Sequence, residues 1–296
     1  VSDFEHRSVM LDEVIEALAP APGGIYADVT LGGAGHASAI LEQSAPSGRL
    51  IGLDRDSRAV EAASARLARF GERAQVRHAA FSQLGDVLSE LGVDALDGLV
   101  ADLGVSSVQL DEAERGFSLL REGPIDMRMD TSAGETALEL IGRCSPEELA
   151  DLIYRYGEER KSRRIARSIL QAYEEGELES TSDLRRAVIR ATGPKRGRID
   201  PATRTFQALR IAVNDELGEL ESLLGALPGL LRSGGVAVII SFHSLEDRLV
   251  KHTFRQSPRL EPLSKRPLVA SEEERDGNPR SRSAKLRAAR RLEEAA

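Results

Sequence analysis

The chain has 296 residues, 41% of them hydrophobic, a formal charge of −8 and a single cysteine, Cys144. That length and content support one large domain or two ordinary ones with a true core. One cysteine excludes an internal disulfide and offers no metal-ligand spacing, so no metal is expected. The net charge argues against indiscriminate binding to nucleic acid, DNA included. No stretch is long and apolar enough to span a bilayer, and Val1–His6 has neither a basic head nor an apolar run. A cytoplasmic protein with no membrane partner is therefore expected.

A short amphipathic helix starts at Val9-Met10-Leu11 and carries Val14, Ile15 and Leu18 on its apolar face. Pro20, Pro22, Gly23 and Gly24 end it before a strand, Gly24-Ile25-Tyr26-Ala27. Asp28-Val29-Thr30-Leu31-Gly32-Gly33-Ala34-Gly35-His36 follows and leads into a helix that runs to about Gln43. A strand, a Gly-rich turn and a helix form a nucleotide-binding opening, because small residues admit a ligand to the backbone and the helix start offers free N–H groups. The second strand, Arg49–Asp54, ends in an acid suited to the two hydroxyls of an adenosine ribose.

Gly33 to Ser38 falls one residue short of a dinucleotide fingerprint, with Ser38 where Gly or Ala belongs. Asp28, just ahead of the glycines, would repel a pyrophosphate and suits a cofactor with a cationic amino-acid group such as S-adenosylmethionine.

A helix over Asp56–Phe70, a strand at Gln75–His78, a helix from about Ser82 to Leu91 and a strand at Leu96–Asp102 continue the alternation. That rhythm predicts a parallel, doubly wound α/β sheet, with ligands beyond the carboxyl ends of the strands. Asp28, Asp54, Phe81 and Asp102 all fall at those ends.

From Val108 to Ile199 no strand is expected. Asp111–Asp130 reads as an irregular loop, and Ser145-Pro146-Glu147-Glu148 as a capped helix start. Helices follow at about Lys161–Glu174 and Ser182–Ala191. Asp200-Pro201 opens one long helix whose stripe, Phe206 to Leu227, is expected to lie on the sheet. The fifth strand is Val236–Ile240, with Ser241-Phe242-His243-Ser244-Leu245-Glu246-Asp247 at its carboxyl end. Lys265–Ala270 is a candidate strand, Ser271–Ser283 reads as loop, and Ala284–Arg291 is helical by propensity. Basic islands at Arg160–Arg167, Lys195–Arg198 and Arg280–Arg291 suit a localised anionic partner.

Several further motifs bear on function. They include Asp102-Leu103-Gly104-Val105-Ser106-Ser107, Gly123-Pro124-Ile125-Asp126-Met127-Arg128-Met129-Asp130, Tyr156-Gly157-Glu158-Glu159-Arg160, Pro201 to Asn214, Ser241 to Arg248 and Asn278 to Arg287. With the Gly loop and Ile51–Asp56, these resemble the bacterial small-subunit methyltransferases that modify N4 of a cytosine in 16S rRNA, over nearly the whole chain.

The resemblance implies a class I (Rossmann-like) S-adenosylmethionine-dependent sheet with an inserted all-helical domain. The expected division is 1–107 with 205–296 for the cofactor domain and 108–204 for the RNA domain. Cofactor contacts are implied at Gly33, Ala34, Gly35, His36, Asp54, Phe81, Asp102 and Gln109. The family's loop often reads Arg-Gly-Gly where this chain has Gly33-Ala34-Gly35. Because such enzymes end in an antiparallel strand pair, Ala284–Arg291 is assigned as a strand against its propensity.

Methyl transfer from a sulfonium is an in-line displacement that needs alignment and exclusion of water. Amino methyltransferases commonly place Asp/Asn-Pro-Pro-aromatic after the fourth strand, whereas this chain has Asp102-Leu103-Gly104-Val105. Asp102 or the adjoining carbonyls are expected to accept from the amine, or Asp102 serves the cofactor alone. His243 is expected to place the base or take its proton. Arg128, Arg163, Arg164, Lys195 and Arg204 are expected to meet phosphates of 16S rRNA in the small subunit. Monomer and homodimer stay open. Other readings are methylation of another RNA or a small molecule, a nicotinamide oxidoreductase, and a non-catalytic RNA-binding assembly factor.

Overall fold

The computed structural model describes residues 8–194 and 200–293. The chain divides into two compact units, Val1–Gly104 with Leu217–Ala296, and Val105–Glu216. The first opens with α1 (Leu11–Leu18), β1 (Ile25–Asp28), α2 (Gly35–Gln43), β2 (Arg49–Asp54), α3 (Ser57–Leu67), β3 (Ala74–His78), α4 (Leu84–Glu90) and β4 (Leu96–Asp102). Asp56 caps α3 by accepting from Arg58 N–H at 3.1 Å.

The second unit is helical: α5 (Ser107–Asp111), α6 (Ala137–Arg143), α7 (Pro146–Gly157), α8 (Ser162–Glu174), α9 (Thr181–Thr192) and α10 (Thr203–Asn214). The capped start at Ser145 forms as expected: Glu148 N–H donates to Ser145 Oγ, and Ser145 N–H donates back to Glu148 Oε2 at 2.8 Å. The same device starts α6 at Thr136, a helix the sequence reading left out. Leu149, Ile153, Ile165, Ile169, Leu184, Val188, Phe206 and Leu209 are buried together as this unit's core.

The chain returns with α11 (Glu216–Leu230), β5 (Leu231–Ser241), α12 (Ser244–Gln256), β6 (Leu260–Pro262), α13 (Glu272–Gly277) and β7 (Lys285–Arg291). The sheet order is β3-β2-β1-β4-β5-β7-β6, parallel except for β7, which runs antiparallel to β5 and β6. This is a mixed α/β, Rossmann-like sheet with the antiparallel pair at its C-terminal end.

Alternation along the strands sends Ala27, Ile51, Leu53, Leu99, Ala101, Ala237 and Ile239 to one face, against Leu88, Leu224, Leu227 and Phe254. Tyr26, Leu50, Val100, Val236, Val238 and Ile240 go to the other, against Val14, Ile40, Leu41 and Leu67. Both faces are covered, as a parallel sheet requires.

Three expectations are corrected. The long helix from Asp200 breaks at Asp215, whose φ of 46° is left-handed and stops α10. The apolar stripe therefore serves two cores, with Phe206 and Leu209 in the helical unit and Leu220, Leu224 and Leu227 on the sheet. The compact helical unit runs to Glu216. Lys265–Ala270 forms only a bridge, Leu268 to Leu286, while the edge strand is β6. Ser271–Ser283 is not loop: Ser271 Oγ caps α13 and Asn278 caps a 3-10 turn over Pro279–Ser283.

Candidate active site

β1 and β4 lie side by side where the strand order reverses, so the crevice for a ligand opens beyond their carboxyl ends. The turn leaving β1 is fixed on both sides. Val29 N–H donates to Val100 O at 3.1 Å and Leu31 N–H to Leu53 O at 3.1 Å. Gly32 N–H donates to Asp54 Oδ2 at 2.8 Å, while Asp54 Oδ1 accepts from Asp56 N–H at 2.9 Å. Thr30 N–H donates to Asp28 Oδ1 at 3.2 Å, and Thr30 Oγ1 accepts from Asp102 N–H at 2.6 Å. Three strand-end acids are thus tied to one turn.

Two positions in the turn carry the conformational load. Ala34 caps α2 with φ 56°, a left-handed conformation that costs a non-glycine residue about 1 kcal/mol. A Cβ at Gly35 would meet the Ser8 side chain, whose hydroxyl would have to turn away.

The electrostatics of the acids point to a cation. Asp28 is 1% exposed. Burial, with repulsion from Asp54, pushes its carboxyl up to about 7 despite the Thr30 N–H. Burial also raises Asp54, against the N–H groups of Asp56 and Gly32. Asp102 is held well above the ordinary range by burial and then by the charges of Asp28 and Glu246. Among the described residues, Asp28 Oδ2 and Asp102 Oδ1 are buried without a hydrogen-bond partner. Buried acceptors with no partner call for a donor, and crowded carboxylates call for positive charge. A ligand bearing a sulfonium and an ammonium group meets both demands, and a pyrophosphate meets neither.

The other expected site residues are more scattered. Phe81 begins a 3-10 turn after β3 and is partly buried against the sheet core. Gly33 O accepts from Arg66 Nη1 at 2.8 Å. The His36 ring turns inward, with Nε2 3.0 Å from Val9 O, and burial pushes its pKa down to about 4. Its imidazole is thus a neutral structural group, and what His36 leaves available to a ligand is backbone.

Gln109 lies in the helical unit, where its Oε1 accepts from Ser106 N–H at 2.9 Å in a capping box that starts α5. Arg128 grips Asp126 through Nε and Nη2, each at 2.8 Å, and Arg204 stands 3.7 Å from Glu159. Arg163 and Arg164 are exposed on α8. Lys195 lies outside the described residues.

His243 caps α12. Its Nδ1 accepts from Glu246 N–H at 3.4 Å, which leaves the ring proton on Nε2. Nε2 lies 3.2 Å from Glu246 Oε1 without the alignment of a hydrogen bond. Glu246 Oε2 accepts from Phe242 N–H at 2.8 Å and His243 N–H at 3.2 Å. Glu246 and Thr30 are the residues that sequence reasoning passed over. The signal for Glu246 was present, since an acid three residues after a helix cap, here His243, is the second half of a capping box.

The sequence pattern of the MraW methylase family matches residues 3–292. A protein of Sorangium cellulosum named ribosomal RNA small subunit methyltransferase H is 60% identical over 289 residues, covering 97% of this chain and 91% of that one. A protein of the same name from Geobacter sulfurreducens is 53% identical over 310 residues, covering 98% of this chain and 99% of its own. Taken with a sheet whose central strands end in buried acids, a match of this extent places the chain in the MraW methylase family.

Proposed function

We propose that this chain transfers a methyl group from S-adenosylmethionine to the exocyclic N4 of a cytosine in 16S rRNA of the small ribosomal subunit. The observation that carries this reading is the pair of buried, partnerless carboxylate oxygens on Asp28 and Asp102, at adjacent strand ends beside a Gly-rich turn. When bound, the cofactor supplies an electrophilic methyl on a cationic sulfur. Asp54 holds the ribose hydroxyls, Phe81 flanks the adenine, and the backbone of Gly33, Ala34, Gly35 and His36 lines the turn. Asp28 receives the cationic amino-acid end.

The amine of cytosine is a weak nucleophile because its lone pair is delocalised into the ring. Asp102 Oδ1, or a carbonyl following it, accepts the amine hydrogens and steadies the charge that develops on nitrogen. With its ring proton on Nε2, His243 donates to an acceptor on the base rather than taking a proton. The exposed arginines of α8, Arg163 and Arg164, meet RNA phosphates. Arg128 and Arg204 already hold Asp126 and Glu159, which makes them supports of the helical unit first.

The test uses purified protein, labelled S-adenosylmethionine and small subunits from a strain lacking the enzyme. Label recovered from 16S rRNA as N4-methylcytidine is the expected result. Cofactor binding without transfer to any form of the subunit would overturn the acceptor assignment.

A further inference from the structure

Among the described residues, the arginines of the helical unit differ in what they hold. Eight of them, from Arg121 on Asp111 to Arg210 on Glu216, each stand within ion-pair distance of a carboxylate. Against that pattern, the guanidinium groups of Arg160, Arg163 and Arg164 touch no carboxylate or carbonyl among the described residues, and Arg167 reaches only Arg163 O at 3.3 Å. All four are exposed. Arg163, Arg164 and Arg167 share one face of α8, Arg160 sits in the turn before it, and the opposite face buries Ile165, Ala166, Ile169 and Leu170.

Stability does not account for this arrangement. The first turn of α8 holds no acid, so the cations sit at the end of the helix where its dipole disfavours them. Like charges three and four residues apart also repel. Glu159, the acid just ahead of this group, stands 3.7 Å from Arg204 instead.

We infer that the Arg160/Arg163/Arg164/Arg167 face of α8 is a docking surface for the phosphodiester backbone of base-paired RNA. The inference rests on the rRNA reading above and names the part of that substrate this face holds. Guanidinium forks match phosphate oxygens in pairs, better than lysine does. The exposed residues of these two turns include no aromatic side chain, which a surface for unpaired bases would use as a stacking platform. They also include no large aliphatic side chain of the kind that enters a bilayer. What remains is a row of charges along a helix that reads backbone and not bases, as proteins that grip RNA helices do.

The experiment uses the full chain and three labelled probes: an RNA duplex of about 20 base pairs, polycytidine of equal length, and vesicles of phosphatidylglycerol. Binding is measured against potassium chloride concentration for the wild type, the triple variant Arg163→Gln, Arg164→Gln, Arg167→Gln, and Arg143→Gln, whose arginine is paired with Glu135. In the triple variant the log–log salt slope for the duplex is expected to fall by about 2 to 3, with affinity reduced at least tenfold near physiological salt. Arg143→Gln is expected to keep the wild-type slope. An unchanged thermal shift with S-adenosylmethionine establishes that the triple variant is folded.

An unchanged duplex slope overturns the inference. So does a loss that falls mainly on polycytidine or on vesicles. The two readings fail separately: lost duplex binding in an enzyme that labels no 16S rRNA keeps the surface and removes the acceptor, and intact binding beside full labelling does the reverse.

Discussion

Asp102 and Asp28 are coupled through one residue, Thr30. Thr30 Oγ1 accepts from the Asp102 N–H at 2.6 Å while the Thr30 N–H donates to Asp28 Oδ1 at 3.2 Å. A single residue therefore sets the spacing of the two carboxylates that carry the partnerless oxygens. Thr30→Val keeps the shape of the side chain and removes the acceptor. The Asp102 N–H then loses its partner, at a cost of about 1–3 kcal/mol. Thermal melting is expected to show that loss, and cofactor affinity to fall with it. Thr30→Ser, which restores the hydroxyl, is expected to recover both; equal behaviour of the Val and Ser variants would remove Thr30 from the positioning of Asp102.

The raised carboxyl of Asp28 makes two pH dependences of defined sign. Its ordinary pKa of 3.8 becomes about 7 in the folded chain. Between those values the native protein holds a proton that the unfolded chain has released. Stability from this group is therefore greatest at acid pH, falls as pH rises through that window, and levels off above it. A cationic ligand favours the ionised form, so its binding expels the proton below the folded pKa. Affinity for S-adenosylmethionine is expected to climb with pH up to about 7 and then flatten, by no more than about tenfold per pH unit for one proton. Calorimetry in buffers of different ionisation enthalpy reads the proton directly. Asp28→Asn should abolish most of the pH slope, leaving the part due to Asp102, which is raised in the same direction. A flat affinity profile in the wild type would show that no cation meets these acids.

Much of this site was legible because strand-end acids declare themselves. Asp28, Asp54 and Asp102 each close an apolar run, and a polar residue at the end of a buried strand has nowhere to go but the sheet's carboxyl edge. Period-two burial made the strands readable, and serine or threonine followed by glutamate made some helix starts readable. What stayed hidden depends on conformations and partners that no local pattern encodes. The left-handed turn at Asp215 splits a stripe whose spacing is continuous, so Phe206 and Leu227 looked like one surface. The three residues of β6 are too short to show a period. His36 looked like a ligand group because only the fold brings Val9 to its ring. Arg128 and Arg163 are alike in sequence, and only the structure shows one committed to Asp126 and the other uncommitted among the described residues.

His243 caps α12, and the proposed function gives its ring a second, separable task of facing the base. His243→Ala removes the cap and is expected to cost about 0.5–2 kcal/mol of stability. His243→Asn supplies a short side-chain acceptor that can cap the helix while removing the ring. The Asn variant is therefore expected to melt near the wild type, yet to turn over at least about tenfold more slowly, the loss of one stabilising contact of about 1.4 kcal/mol in the transition state. Wild-type turnover by the Asn variant at saturating cofactor and RNA would leave the ring with its capping role alone.

Arg128 provides the contrast to the arginines of α8. It holds both oxygens of Asp126 at 2.8 Å, with the two side chains 22% and 18% exposed. Asp126 in turn anchors α6, since its carbonyl accepts from Ala137 N–H at 2.7 Å. Burial alone would raise the Asp126 carboxyl, but the hydrogen bonds and charge of Arg128 outweigh it and hold the group below its ordinary value of 3.8. The sign is then opposite to that of Asp28: the pair stabilises the protein above that value, and the contribution is lost as pH falls through the depressed one. Arg128→Ala is expected to cost about 1–3 kcal/mol near neutral pH, a mostly buried charge-assisted pair losing one partner. The gap from the wild type should narrow below about pH 4, where protonated Asp126 no longer needs the arginine. Duplex RNA binding by Arg128→Ala should keep the wild-type salt slope, because a guanidinium already neutralised by Asp126 releases few counterions from RNA. A slope reduced as far as in the α8 variant would mean that RNA pulls Arg128 away from Asp126, and would restore it to the substrate surface.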